Sequence, residues 1–150
     1  MKKNKNTNEE IVDKFFDAYK DHDMNAIRKV MADNVVWYFQ GQNPAAGIKS
    51  GIDEVIPFFD SMRKIMTESN GKTDKLIVAE NDRYFIECQR SKTNREDGNN
   101  LEHYTTVLWT IEDGKIIEGR HFFADPPAVD KYFSALLPST NVPKKNVFHG

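Results

Sequence analysis

Residues 101–125 read LEHYTTVLWTIEDGKIIEGRHFFAD. Two runs of β-branched and aromatic residues flank Glu112-Asp113-Gly114, and such a break between such runs predicts a hairpin. Two more strand-like runs precede it, GKTDKLIVAEND (71–82) and RYFIECQRSKT (83–93), punctuated by Glu80-Asn81-Asp82 and by NREDGNN (94–100). Four hairpin-linked strands predict an antiparallel sheet, which needs helices to cover one face.

Upstream the period changes from two to that of a helix. Between Asn8 and Lys20 the apolar residues are Ile11, Val12, Phe15, Phe16 and Tyr19, the spacing of a one-faced helix. Asp23 can cap a second short helix carrying Met24, Ile27, Val30 and Met31. NVVWYFQ (34–40) reads as a strand, and GQNPAAGIKSG (41–51), with three glycines and a proline, as a loop. A third helix starts near Asp53 and runs to about Met66, with Pro57 about one turn in. After the sheet, Pro126-Pro127 opens a helix to residue 137 that carries Val129, Tyr132, Phe133, Leu136 and Leu137. Residues 1–7 are polar and expected to be disordered, and 138–150 form an irregular tail. The order α-α-β-α-β-β-β-β-α predicts one α+β domain over 8–137. In it a curved antiparallel sheet wraps three N-terminal helices, a C-terminal helix follows, and a cavity is left at the open end.

Composition narrows the function. The net charge of −2, from 21 basic and 23 acidic residues, creates no field that recruits nucleic acid or an anionic membrane, so neither is expected as a partner. No run approaches the roughly 18 apolar residues of a membrane span, and no apolar stretch follows the basic residues at the start. The single cysteine, Cys88, excludes an internal disulfide and suits a reducing, cytoplasmic compartment. His22, His103, His121 and His149 show no ligand spacing, so no metal is expected.

The residue that draws chemistry is His121. Strands alternate faces, which sets Ile116, Glu118, Arg120 and Phe122 against Ile117, Gly119, His121 and Phe123. Unpaired charges are costly to bury, so Glu118 and Arg120 argue their own set outward and His121 inward, with Gly119 beside it leaving room for a ligand. An imidazole there can give or take a proton near neutral pH. Asp125 stands about 13 Å further along the strand, too far to pair with His121, and reads as the cap of the following helix. For 83–91 the sets are Tyr84, Ile86, Cys88 and Arg90 against Phe85, Glu87, Gln89 and Ser91, and apolarity alone would bury the first. For 101–111 the choice lies between Leu101, His103, Thr105, Val107 and Trp109 and the set Glu102, Tyr104, Thr106 and Leu108. A one-residue slip at the Glu112-Asp113-Gly114 turn exchanges the sets. Glu87 is a candidate base, and Tyr104 and Tyr19 are candidate hydrogen-bond donors to a carbonyl or enolate oxygen. Trp37, Phe39, Phe58, Phe59, Met62 and Phe123 are candidate lining for an apolar, ring-containing ligand.

Three stretches, EEIVDKFFDAYKDHDMNAIRKVMADNVVWYF (9–39), GIDEVIPFF (51–59) and WTIEDGKIIEGRHFFAD (109–125), resemble the NTF2-like superfamily in its SnoaL-like, ketosteroid-isomerase-related branch. The resemblance implies a cone of curved sheet on three helices, a pocket inside, cofactor-free acid–base chemistry and a homodimer. Steroid isomerases of this group place their aspartate base where Phe39 stands, a tyrosine at Phe15 and a second aspartate near Thr106, so their catalytic set is absent. Epoxide hydrolases of the group keep a last-strand carboxylate where this chain has His121. The second half is similar to phenazine biosynthesis A/B proteins, whose last-strand glutamate falls on His121 and whose helix histidine falls near Phe58. For the two middle strands the resemblance selects the polar sets, which adds Gln89 and Thr106 to the lining. The implied dimer packs through the outer sheet face.

Overall fold

The computed structural model describes residues 7–138. The expected disorder of residues 1–6 and the tail beyond Pro138 fall outside the described residues. Helix α1 (Asn8–Lys20) opens on a capping box. The Thr7 hydroxyl accepts from the Glu10 N–H at 3.1 Å, and the Glu10 carboxylate accepts from the Thr7 N–H at 2.9 Å. Thr7 is therefore part of an ordered helix start rather than of a frayed end. Asp23 caps α2 (Met24–Val30), its Oδ1 accepting from the Ala26 N–H at 3.1 Å. Met31 was expected in this helix. It instead begins β1 (Met31–Phe39), fully buried, because it pairs with Ile116 across the sheet.

Strand β2 (Gly47–Ser50) runs antiparallel to the end of β1, with Phe39 opposite Gly47 and Val36 opposite Ser50. This corrects the reading of 41–51 as a loop throughout; four residues opening on glycine carry too little alternation to announce a strand. Gly51, at φ +86°, turns the chain into α3 (Ile52–Glu68). Then β3 (Lys72–Glu80), β4 (Tyr84–Lys92), β5 (Glu102–Glu112) and β6 (Lys115–Phe123) follow as an antiparallel meander. Helix α4 (Pro126–Leu136) starts at Asp125, whose Oδ1 accepts from the Ala128 N–H at 3.2 Å.

The sheet order is β2-β1-β6-β5-β4-β3, curved and unclosed. One junction departs from the expected antiparallel sheet: β1 and β6 are parallel, so the sheet is mixed. These two strands are joined by no hairpin, and their relative sense is set by where the meander returns rather than by any local turn. Register assigns the faces. Phe85, Trp109, Gly119 and Trp37 lie in one cross-strand row, Glu87, Val107 and His121 in the next, and Gln89, Thr105 and Phe123 in a third. The buried members Phe85, Trp109, Val107 and Thr105 identify this as the inner face, packed against α1, α3 and α4. Tyr84, Tyr104 and Phe122 stand exposed on the outer face. There Arg120 is bonded to Glu118 at 2.7 Å and stacks over Tyr38 at 3.8 Å. A bulge between Thr110 and Ile111 breaks the alternation near the hairpin, so Ile116, expected outward with Glu118, is fully buried.

Candidate active site

Strand β6 carries His121 inward between Gly119 and Phe123. Its ring is surrounded by the rings of Phe39 (centroids 5.0 Å apart), Trp37 (5.8 Å), Phe123 (6.0 Å) and Phe58 (6.5 Å). Phe39 and Trp37 come from the parallel neighbour β1, and Phe58 from α3. The Nε2 atom is buried and has no hydrogen-bond partner among the described residues. Burial removes the water that would stabilise an imidazolium, and His103 adds a weaker repulsion. Together they push the His121 pKa down to about 3. His121 is therefore a neutral imidazole at neutral pH.

On the inner face of the sheet, Glu87 and His121 share a row with Val107 between them. Two strand spacings put their backbones about 10 Å apart, the width of a small ring compound. The Gln89 amide donates to Glu87 Oε2 at 2.9 Å and fixes that carboxylate on the inner face. The polar set of β4 thus faces inward. On β5 the opposite holds: Tyr104 and Thr106 face outward, Tyr104 being 56 % exposed and Thr106 donating to Cys88 Sγ at 3.4 Å. Neither reaches the inner face. The pairing of Val107 with His121 sets this register, and the sequence leaves it open at the turn.

Of the other expected residues, Trp37 and Phe39 are sealed into the cage wall, and Phe58 and Phe123 complete it. Gly119 does not leave room for a ligand. The Trp37 indole lies directly over it, where a Cβ would collide with its six-membered ring. A cleft of about 600 Å³ between α1, α3 and the β3–β4 pair brings together Phe16, Tyr19, Phe59, Met62, Thr73 and Gln89. Tyr19 lines that cleft with its hydroxyl already committed, donating to Asp60 at 2.9 Å. Burial and this acidic partner push its pKa up to about 12, which corrects its reading as a free donor to a ligand. A larger cleft of about 890 Å³, with Asp17, Asp21, Asp23, Asp82 and Asp113 on its walls, contains none of the residues around His121. No group of three or more potential metal ligands is found among the described residues, and no helix there is long and apolar enough to cross a membrane.

Sequence reasoning missed His103. It faces inward from β5 opposite Ser91, with its ring 5.9 Å from Phe123. Its Nδ1 is 3.3 Å from Thr105 Oγ1, and burial lowers its pKa against an opposing pull from Asp125. The signal was present: His103 lies in the more apolar set of 101–109, which alternation alone selects for burial.

A SnoaL-like domain profile matches residues 12–119. The uncharacterized protein Rv0034 of Mycobacterium tuberculosis is 22 % identical over 125 residues, 83 % of this chain and 95 % of that protein. Among solved structures, Bal32a, from a soil-derived mobile gene cassette, superposes with a TM-score of 0.67 at 24 % identity, over 84 % of this chain and 95 % of its own. TerC, co-crystallized with polyporic acid, superposes at 0.63 with 18 % identity, over 84 % of this chain and 97 % of its own. The helices, the curved mixed sheet and the matched profile lead to one assignment: the chain belongs to the SnoaL-like domain family.

Proposed function

We propose that the protein is a small-molecule enzyme that moves a proton at a carbon beside a carbonyl, without a cofactor, in an isomerisation, cyclisation, condensation or dehydration. The observation that carries this reading is the buried, unpartnered Nε2 of His121 inside a four-ring aromatic cage. A polar atom in such a place costs stability unless a ligand completes it. The neutral state of His121 suits it to hold oxygen rather than to carry the proton. One ring N–H donates to the carbonyl and strengthens its hold as that oxygen takes on enolate charge. Glu87, steadied by Gln89, takes the proton from the adjacent carbon and returns it at the product position. The aromatic cage favours a ligand with an apolar, ring-containing body. TerC, a neighbour in fold, has been co-crystallized with polyporic acid, which agrees with a ligand-holding interior.

The test is hydrogen exchange at carbon. Cyclic ketones such as 1-tetralone are incubated with the protein in heavy water, and deuteration beside the carbonyl is followed by NMR. Wild type is expected to exceed the buffer rate by at least 100-fold, with that excess lost in Glu87→Gln. Binding of the ketone without any exchange above buffer would replace this reading by a non-catalytic ligand-binding domain. That alternative draws its support from the wholly aromatic surroundings of His121. The proposal also includes a cytoplasmic location, which suits the free Cys88, and a homodimer through the outer sheet face. Ile77, Tyr104 and Phe122 stand exposed on that face and Ile86, Cys88 and Leu108 partly so, an apolar surface for a second copy to cover.

A further inference from the structure

We infer that His103 is a second ligand-contacting residue, and that it and His121, on either side of the Phe123 ring, hold two oxygens of one flat ring compound. The inference rests on the proposal that the ligand sits against His121, and it narrows the ligand to compounds oxygenated at both ends. Three observations converge on it. Register places both histidines on the inner face of adjacent strands, His121 opposite Val107 and His103 further along β5. Their rings lie 6.0 and 5.9 Å from Phe123 and are tilted to it by 38° and 36°. Phe123, opposite Thr105, thus lies between the levels of His121 and His103 along the sheet. Finally, Thr105 engages Nδ1 of His103 at 3.3 Å, which leaves Nε2 as the nitrogen to meet a ligand. Burial keeps both imidazoles neutral, so each offers a donor to a carbonyl or an acceptor to a hydroxyl. A histidine serving only to pack against Phe123 would make the same ring contact, so the test must separate contact from packing.

The probes are 1-tetralone, with one oxygen, and 6-hydroxy-1-tetralone, with a second at the far end of the fused rings. Affinity is read by quenching of tryptophan fluorescence, since Trp37 and Trp109 line the inner face. Wild type is expected to bind the hydroxylated compound about tenfold more tightly, the worth of one good hydrogen bond. His103→Phe keeps a ring against Phe123 and should erase that tenfold advantage while leaving 1-tetralone within about twofold. His103→Gln, which retains an amide donor and acceptor, should restore part of it. His121→Gln should weaken both compounds. Thermal unfolding of each variant checks that it is folded. If the advantage survives in His103→Phe while His121→Gln weakens both ligands, His103 is a packing residue and this inference fails alone. If His121→Gln changes neither affinity, or neither compound binds wild type, the placement of the ligand fails with it.

Discussion

Gly119 gives the sharpest test of how the interior is built. Its backbone is ordinary strand, so replacing glycine by alanine should by itself stabilise the chain by about 0.5–1 kcal/mol. The structure predicts the opposite. A Cβ at this position falls onto the six-membered ring of Trp37. That indole is fully buried and held edge-to-face by Phe59 and Trp109, each with ring centroids 4.9 Å away. It has nowhere to yield without moving both neighbours. Overpacking of this kind costs about 1–3 kcal/mol, and more when a large ring is displaced. With the cost at the upper end of that range, the expected net loss for Gly119→Ala is about 1–2.5 kcal/mol, or roughly 2–10 °C in melting temperature for a chain of this size. Urea titration with matched thermal melts measures it. Near-ultraviolet circular dichroism should show the Trp37–Trp109 signal reduced. A second substitution, Trp37→Leu, should make Gly119→Ala nearly harmless, a coupling of at least about 1 kcal/mol between the two sites. Wild-type stability in Gly119→Ala, with Trp37 intact, would show that the indole does not rest on this glycine.

Two further outcomes follow from the same geometry. The folded-state pKa of His121 lies near 3, well below the ordinary histidine value. Its unfolded form therefore binds a proton that the native form refuses, and stability falls as pH drops from about 6.5 toward 3. His103 shifts in the same direction. Urea midpoints at pH 7.5 and pH 5 should show His121→Leu losing about 1–2 kcal/mol less than wild type across that interval, with ligand binding abolished; equal losses in both proteins would refute the buried neutral state. On the outer face, Phe122→Glu should shift the protein from dimer to monomer in light scattering with ligand affinity within about twofold. A monomeric wild type would refute the proposed interface.

Much of the fold was legible because its signals are local. Apolar spacing marked α1, the turn residues separated β3 to β6, and Asp23 and Asp125 marked the caps that the structure shows. The charges of Glu118 and Arg120 indicated which way His121 points, since unpaired charges stay in water. Other features depend on contacts between distant segments. The parallel pairing of β1 with β6 has no connecting turn to announce it, and β2 exists because the edge of β1 offers it hydrogen bonds. The face of β5 hinged on a register that a single residue at the hairpin inverts. Only the packed sheet turned Tyr104 and Thr106 outward and brought His103 in. The glycine beside His121 looked like space until Trp37, more than eighty residues earlier in the chain, was found lying over it. The sequence determined which side chains could do chemistry here, because residue type and alternation are local properties. Tertiary structure decided which of them share an interior and in what charge state, because burial and neighbours are set by the whole fold.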